Sequence, residues 1–183
     1  MTKNHKTILS IAGFILLIVT AVFSYNALSG QLAPVPSDSS GEYADKEKAS
    51  DFTMLDQDGN SFKLSEMEGK PIVLNFWASW CPPCKIEMPD FENVYQELGD
   101  EIQFMMINMT DGQRETVNNA NKFISAEGYT FPVYFDTMHE GMSAYGIRSI
   151  PTTFFIDKDG YIATSYIGLI DELTLRQGID MIK

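Results

Sequence analysis

An α/β domain, with a central mixed β-sheet flanked by helices, is the fold class this sequence predicts, and three observations lead to it. Dense apolar runs rich in β-branched and aromatic residues recur at 71–78, 102–109 and 151–156, the pattern of strands buried on both faces. Between them lie segments whose apolar residues fall three or four apart, the spacing of amphipathic helices. The turn Asp157-Lys158-Asp159-Gly160 then joins the last run to a partner strand, as in an antiparallel hairpin. Strand–helix alternation closed by a hairpin and a helix implies a mixed sheet covered by helices.

Residues 8–25 carry no charge and no proline. A helix crosses the bilayer core with roughly 17–25 such residues, whereas a signal-peptide apolar core has about 7–15. Lys3 and Lys6 precede the run and no Lys or Arg follows until Lys46, which puts the N-terminus in the cytoplasm and the rest outside. The expectation is a single-pass anchor over 1–25 and a cell-membrane, extracytoplasmic domain. The other reading is a cleaved signal peptide with a weak site near Ala27 and Ser29, which also exports the domain. Residues 26–49 are rich in Ser, Gly, Pro and charge and read as a flexible tether, leaving 50–183 as the folded domain.

Within that domain, 51–64 reads as a hairpin around the turn cluster 56–60. The strand at 71–78 follows. A helix comes next, carrying Met88, Phe91, Val94, Tyr95 and Leu98 on one face and ending at Gly99. After the strand at 102–109, a helix is predicted over 115–127, closed by Gly128, and a short strand over 131–135. A short helix at 142–146 precedes the strand from Pro151. The partner strand covers 161–168, and a last helix covers 171–182 with Asp171 as its N-cap. Met105, Met106 and Met109 read as strand packing rather than metal or haem ligands, and His139 as a surface loop residue.

Charge and cysteine usage narrow the function. The formal net charge is −12, and with Lys3 and Lys6 the only charges in the first thirty residues, the remainder holds −12 − 2 = −14. Such a surface repels phosphate backbones and anionic headgroups, which argues against a nucleic-acid partner and suits a monomer that meets its partners transiently. The two cysteines sit three apart, and the only histidines are His5 and His139. A disulfide framework would use more cysteines, and a zinc site more ligands. One reversible redox pair, with no metal and no cofactor, is the expectation.

Trp80-Cys81-Pro82-Pro83-Cys84 stands where the buried strand ends and the helix begins. Unpaired amides and the partial positive charge of a helix N-terminus stabilise a thiolate there. Cys81 is therefore the expected nucleophile, with Cys84 one turn along to resolve a mixed disulfide. Two prolines remove two amide donors from this turn, so the thiolate must rely on the amides of Cys84 and Lys85. The alternatives for an isolated C-x-x-C are half a zinc site or chance; the strand before, the helix after and the lack of other cysteines favour redox chemistry.

Residues 75–89, Asn-Phe-Trp-Ala-Ser-Trp-Cys-Pro-Pro-Cys-Lys-Ile-Glu-Met-Pro, resemble the active-site segment of the TlpA/ResA/CcmG branch of the thioredoxin superfamily. Residues 150–156, Ile-Pro-Thr-Thr-Phe-Phe-Ile, resemble its second signature. The resemblance covers about three-quarters of the chain from Ser50. It implies a thioredoxin-like fold with an N-terminal hairpin and a central insertion, here 115–135, that shapes the substrate groove. It also implies a cis-proline at Pro151 opposite the disulfide, with Ile150 offering backbone groups to an extended substrate. Without it, a plain proline that starts a strand is the alternative reading of Pro151. Glu87, three residues after Cys84, matches a glutamate implicated in tuning the two thiols; from spacing alone it reads as a solvated first-turn residue. Pro89 matches a helix-kinking proline.

The resemblance thus assigns catalysis to Cys81, Cys84 and Glu87, and substrate contact to Trp80, Pro82, Pro83, Ile150 and Pro151. Trp77 reads as core and Lys85 as solvated. The activity implied is that of an extracytoplasmic reductant of exported protein disulfides such as apocytochrome c, re-reduced by a membrane electron carrier of CcdA or DsbD type. Three rivals stand beside it: an oxidant that installs disulfides, a thiol peroxidase, and a non-catalytic scaffold that binds partners at Pro151. Around Cys81 the sequence lacks the P-x-x-x-T/S-x-x-C setting expected of a peroxidatic cysteine.

Overall fold

The computed structural model describes residues 16–24, 47–67 and 69–183, and the chain divides into two units, 1–43 and 44–183. In the first, residues 16–24 are helical and Leu16, Leu17, Val19, Val22 and Phe23 are exposed. Among the described residues no helix is long and apolar enough to cross a membrane. The rest of the expected anchor, and most of the tether, lie outside the described residues.

The second unit holds one seven-stranded sheet in the order β2-β1-β5-β4-β3-β6-β7. The strands are β1 (Thr53–Leu55), β2 (Ser61–Lys63), β3 (Ile72–Trp77), β4 (Gln103–Asn108), β5 (Val133–Phe135), β6 (Thr152–Ile156) and β7 (Ile162–Ile167). β3 pairs parallel with β4 and β4 with β5; β6 lies antiparallel to β3 and β7, and β1 antiparallel to β2 and β5. The helices are α1 (Pro82–Leu98), α2 (Val117–Glu127), α3 (Glu140–Ala144) and α4 (Glu172–Asp180). The expected mixed sheet flanked by helices is therefore present, including the N-terminal hairpin.

Side chains of β3 alternate between two cores, as the period of two requires. Val73 and Trp77 face the layer of α1, α2 and α4, among Met88, Phe91, Ile124 and Leu175. Ile72, Leu74 and Phe76 face Phe52, Met54, Tyr134 and Ile156 on the other side. Asn75 shares parity with Val73 and Trp77, and this brings a polar side chain to the face that α1 covers. Gly178 lets α4 approach the sheet, since a Cβ there would overlap the Phe155 ring.

Helix ends follow the caps in the sequence. Asp171 caps α4 by accepting from the Thr174 amide at 2.9 Å, and Gly128 ends α2 in the left-handed region at φ 75°. The expected start of α2 at Glu115 is corrected: the N-cap is Thr116, whose hydroxyl oxygen accepts from the Asn119 amide at 3.1 Å. Glu115 is withdrawn from the helix because its carboxylate is engaged elsewhere. Helix α3 also begins two residues before the expected 142, at Glu140.

Candidate redox-active site

Cys81 and Cys84 form a disulfide at the N-terminus of α1. Cys81 is the N-cap in extended conformation, φ −85° and ψ 110°, and its sulfur accepts from the Cys84 amide at 3.3 Å. The expectation of a second donor is corrected, because the Lys85 amide is spent on the Cys81 carbonyl at 3.2 Å as an intrahelical bond. With Pro82 and Pro83 lacking N–H groups, Cys84 supplies the only amide of this turn that reaches Sγ. Both cysteines are buried.

Opposite them, the Ile150–Pro151 peptide bond is cis. The Ile150 carbonyl oxygen lies 3.6 Å from the Cys81 sulfur, which in the reduced state can donate to it. Trp80 is 37 % exposed and lines a groove of about 260 Å³ together with Met109, Met142, Ile147, Arg148 and Ile150. His139 lines the same groove, half-buried, with φ 58° and its Nε2 3.1 Å from the Thr110 carbonyl oxygen. The loop placement expected from the sequence holds, with its Nε2 engaged at the Thr110 carbonyl. No residue of 115–135 lines this groove; Glu115 is linked to it through Ser79, which adjoins Trp80. Besides Trp80, the lining comes from the segment just after β4 and from 139–150.

Glu87 is buried, against the solvated reading. Its Oε1 accepts from the Asn75 amide nitrogen at 2.9 Å, and its Oε2 from the Ile170 backbone amide at 3.2 Å. The Asn75 nitrogen also donates to the Thr153 hydroxyl at 2.9 Å. Burial raises the carboxyl from an ordinary 4.5 to about 7; the two hydrogen bonds oppose that rise, and Asp90 on the same helix adds to it. A group at that value exchanges a proton readily at neutral pH. By helix spacing it lies one turn beyond Cys84 on the same face.

A second buried carboxylate escaped the sequence reading. Glu115 accepts from the Ser79 backbone amide at 3.0 Å, the Ser79 hydroxyl at 2.8 Å and the Asn108 side-chain Nδ2 at 2.7 Å. It ties the loop that carries Trp80 and Cys81 to the end of β4. Its neighbour Arg114 lays its guanidinium 3.6 Å over the centre of the Trp80 ring. The one available signal was Asn108, a polar residue ending an apolar strand. Trp77 is fully buried, as expected, while Lys85 sits 5.0 Å over the Phe123 ring rather than simply in solvent. Among the described residues, no three His, Cys, Asp or Glu side chains are grouped as metal ligands.

Residues 46–165 match the AhpC/TSA family. The chain belongs to the AhpC/TSA family. Within it, the chain is 35% identical over 138 residues to the thiol-disulfide oxidoreductase ResA of Geobacillus thermodenitrificans, spanning 74% of this chain and 76% of the relative. ResA of Bacillus subtilis is 30% identical over 170 residues, 92% of this chain and 90% of that one. A solved structure described as a putative thiol:disulfide interchange protein DsbE from Chlorobium tepidum superposes with a TM-score of 0.67 at 29% identity, covering 75% of this chain and 97% of its own. This AhpC/TSA protein has a thioredoxin-like fold and is a thiol–disulfide oxidoreductase of ResA/DsbE type, with Cys81 and Cys84 as its cysteine pair.

Proposed function

We propose that the protein reduces specific disulfides of exported proteins, apocytochrome c among them, from an extracytoplasmic position on the cell membrane. The observation that carries this is the Cys81–Cys84 pair set between the Ile150 carbonyl, the groove and a buried carboxyl at Glu87. In the reduced protein the Cys81 thiolate attacks one sulfur of the client disulfide, forming a mixed disulfide and releasing one client thiolate. The Cys84 thiol passes its proton to the Glu87 carboxylate. Its thiolate then attacks Cys81 Sγ, closing the Cys81–Cys84 disulfide and releasing the second client thiolate. Two electrons leave the protein, and the client thiolates take up two protons.

Trp80, Pro82, Pro83 and the Ile150–Pro151 edge contact the client in this reading, with Ile150 offering main-chain groups to an extended segment. No cofactor takes part beyond the disulfide. Re-reduction comes from a membrane electron carrier of CcdA or DsbD type, to which residues 1–25, as a single-pass anchor, keep the monomeric domain close. The low charge balance supports a protein client over nucleic acid.

The test is the midpoint potential of the Cys81–Cys84 couple at several pH values. A value at or below roughly −220 mV supports the reductant. One near about −120 mV reverses the flow and retires apocytochrome c as client. Absence of a reversible two-electron couple removes the enzymatic reading altogether.

A further inference from the structure

The chain has three arginines, and they are unequally employed. Arg176 is doubly paired, with Glu97 at 2.9 Å and Glu172 at 2.8 Å. Arg148 lines the groove beside the disulfide, exposed, and makes no ion pair or side-chain hydrogen bond among the described residues. Arg114, also exposed, rests on the face of Trp80, which lines the same groove. That stacking holds the guanidinium plane and leaves its N–H edge without a carboxylate among the described residues. In a chain with 25 acidic residues and 13 basic ones, carboxylates are plentiful. Two unpaired arginines at one apolar groove are therefore out of keeping with the rest of the surface.

The acid that lines the same groove does not fill the role. Asp111 lines the groove, but its Oδ1 accepts from the Gln113 and Glu115 amides, both at 2.8 Å. Glu115 is buried and saturated by Ser79 and Asn108. Guanidinium groups bind carboxylates through paired N–H donors, and they lose less to desolvation than an ammonium does.

We propose that the groove selects client segments bearing a carboxylate side chain beside the apolar residue next to the reactive cysteine, with Arg148 and Arg114 as the specificity-determining pair. This rests on the proposed role of Cys81 as nucleophile and names the chemistry of its client: an extended, locally acidic segment. The opposing effect is the field of the whole molecule, whose net charge of −12 favours basic partners at long range. At physiological ionic strength that field decays over about 8 Å, whereas a contact at the groove is screened much less. Local recognition then outweighs steering once the segment is seated.

The experiment uses the full chain in detergent with Cys84→Ser, which leaves Cys81 to form a mixed disulfide that cannot be resolved. Three disulfide-bonded peptides share one apolar sequence and carry Glu, Gln or Lys beside it, and the rate of adduct formation on Cys81 is read by mass spectrometry. The expected result is that the Glu peptide reacts about three- to fivefold faster than the Gln peptide, the range of an exposed charge-assisted pair. Arg148→Gln abolishes that preference. Arg176→Gln, which removes the same charge away from the groove, retains it. Equal rates for all three peptides, or a faster Lys peptide, overturn the inference. Reaction of the Gln peptide reports the Cys81 chemistry separately, so loss of the Glu preference refutes the client class without touching the proposed function.

Discussion

Replacing Glu87 with Gln removes a titration that the fold holds far from its ordinary position, and the consequence for stability has a definite sign. Burial lifts the native carboxyl from 4.5 to about 7. Between those values the unfolded chain has lost the proton while the native protein still keeps it. Native binding exceeds unfolded binding there, so stability falls as pH rises through that window. At about 1.36 kcal/mol per pKa unit, a displacement of 7 − 4.5 = 2.5 units corresponds to about 3 kcal/mol, fully present below pH 4.5 and lost by pH 7. The Gln variant has no such slope. It keeps an acceptor for Asn75 but faces the Ile170 amide with a donor, a loss of about 1–3 kcal/mol at every pH.

The variant is therefore less stable than the natural protein at pH 4.5, and level with it or more stable at pH 7.5. The assay is guanidinium unfolding of both oxidised proteins at four pH values, taking the difference between them so that every other acid cancels. A difference that changes by about 3 kcal/mol across the range agrees with a buried, proton-holding Glu87. Parallel curves refute it, because a carboxyl with an ordinary value contributes no relative slope in that window.

Three other outcomes follow from the same contacts. Asn75→Ala removes the hydrogen bond that favours the Glu87 carboxylate, so a ¹³C titration of the Glu87 side chain moves further upward, by about one unit for a bond of ordinary strength. Gly178→Ala places a methyl group against the Phe155 ring and lowers the unfolding free energy by about 1–3 kcal/mol, measured by denaturant titration. Glu115→Ala leaves the Ser79 amide and the Asn108 side chain without their acceptor; the expected cost is about 1–3 kcal/mol for each group that stays dry, with faster hydrogen exchange at Ser79 and Trp80.

The sheet was legible where side chains obey one period. Residues 72–77 and 103–108 are apolar nearly throughout, and only strands with both faces covered have that composition at that length. Gly99, Gly128 and Asp171 marked helix ends because caps act locally. What sequence could not show are polar residues whose partners lie far along the chain. Glu115 looked like an ordinary residue of a helix's first turn, yet its carboxylate reaches Ser79, thirty-six residues earlier. Glu87 had two readings on spacing alone, and its burial depends on Asn75 and Ile170, which belong to β3 and to the loop before α4. Arg114 over Trp80 and the place of His139 in the groove are likewise tertiary facts with no local signature.

Two donors aim at Glu87, and a carboxylate accepts from both where an amide can accept from only one. That satisfaction carries a burial penalty that deepens as pH approaches 7. The surrounding groups do not neutralise Glu87: Asp90 raises it further, and no cation is among the causes that act on it. In the proposed mechanism Glu87 takes a proton from Cys84 and returns it on the next turnover, which an amide cannot do. The cost in stability is specific to the pH range in which the carboxyl changes state, and a proton carrier for a thiol is useful only in that range. Under the proposed mechanism, the stability penalty and the proton transfer are two readings of one perturbed equilibrium. Gln at position 87 would relieve the pH-dependent penalty and slow the resolution of the mixed disulfide.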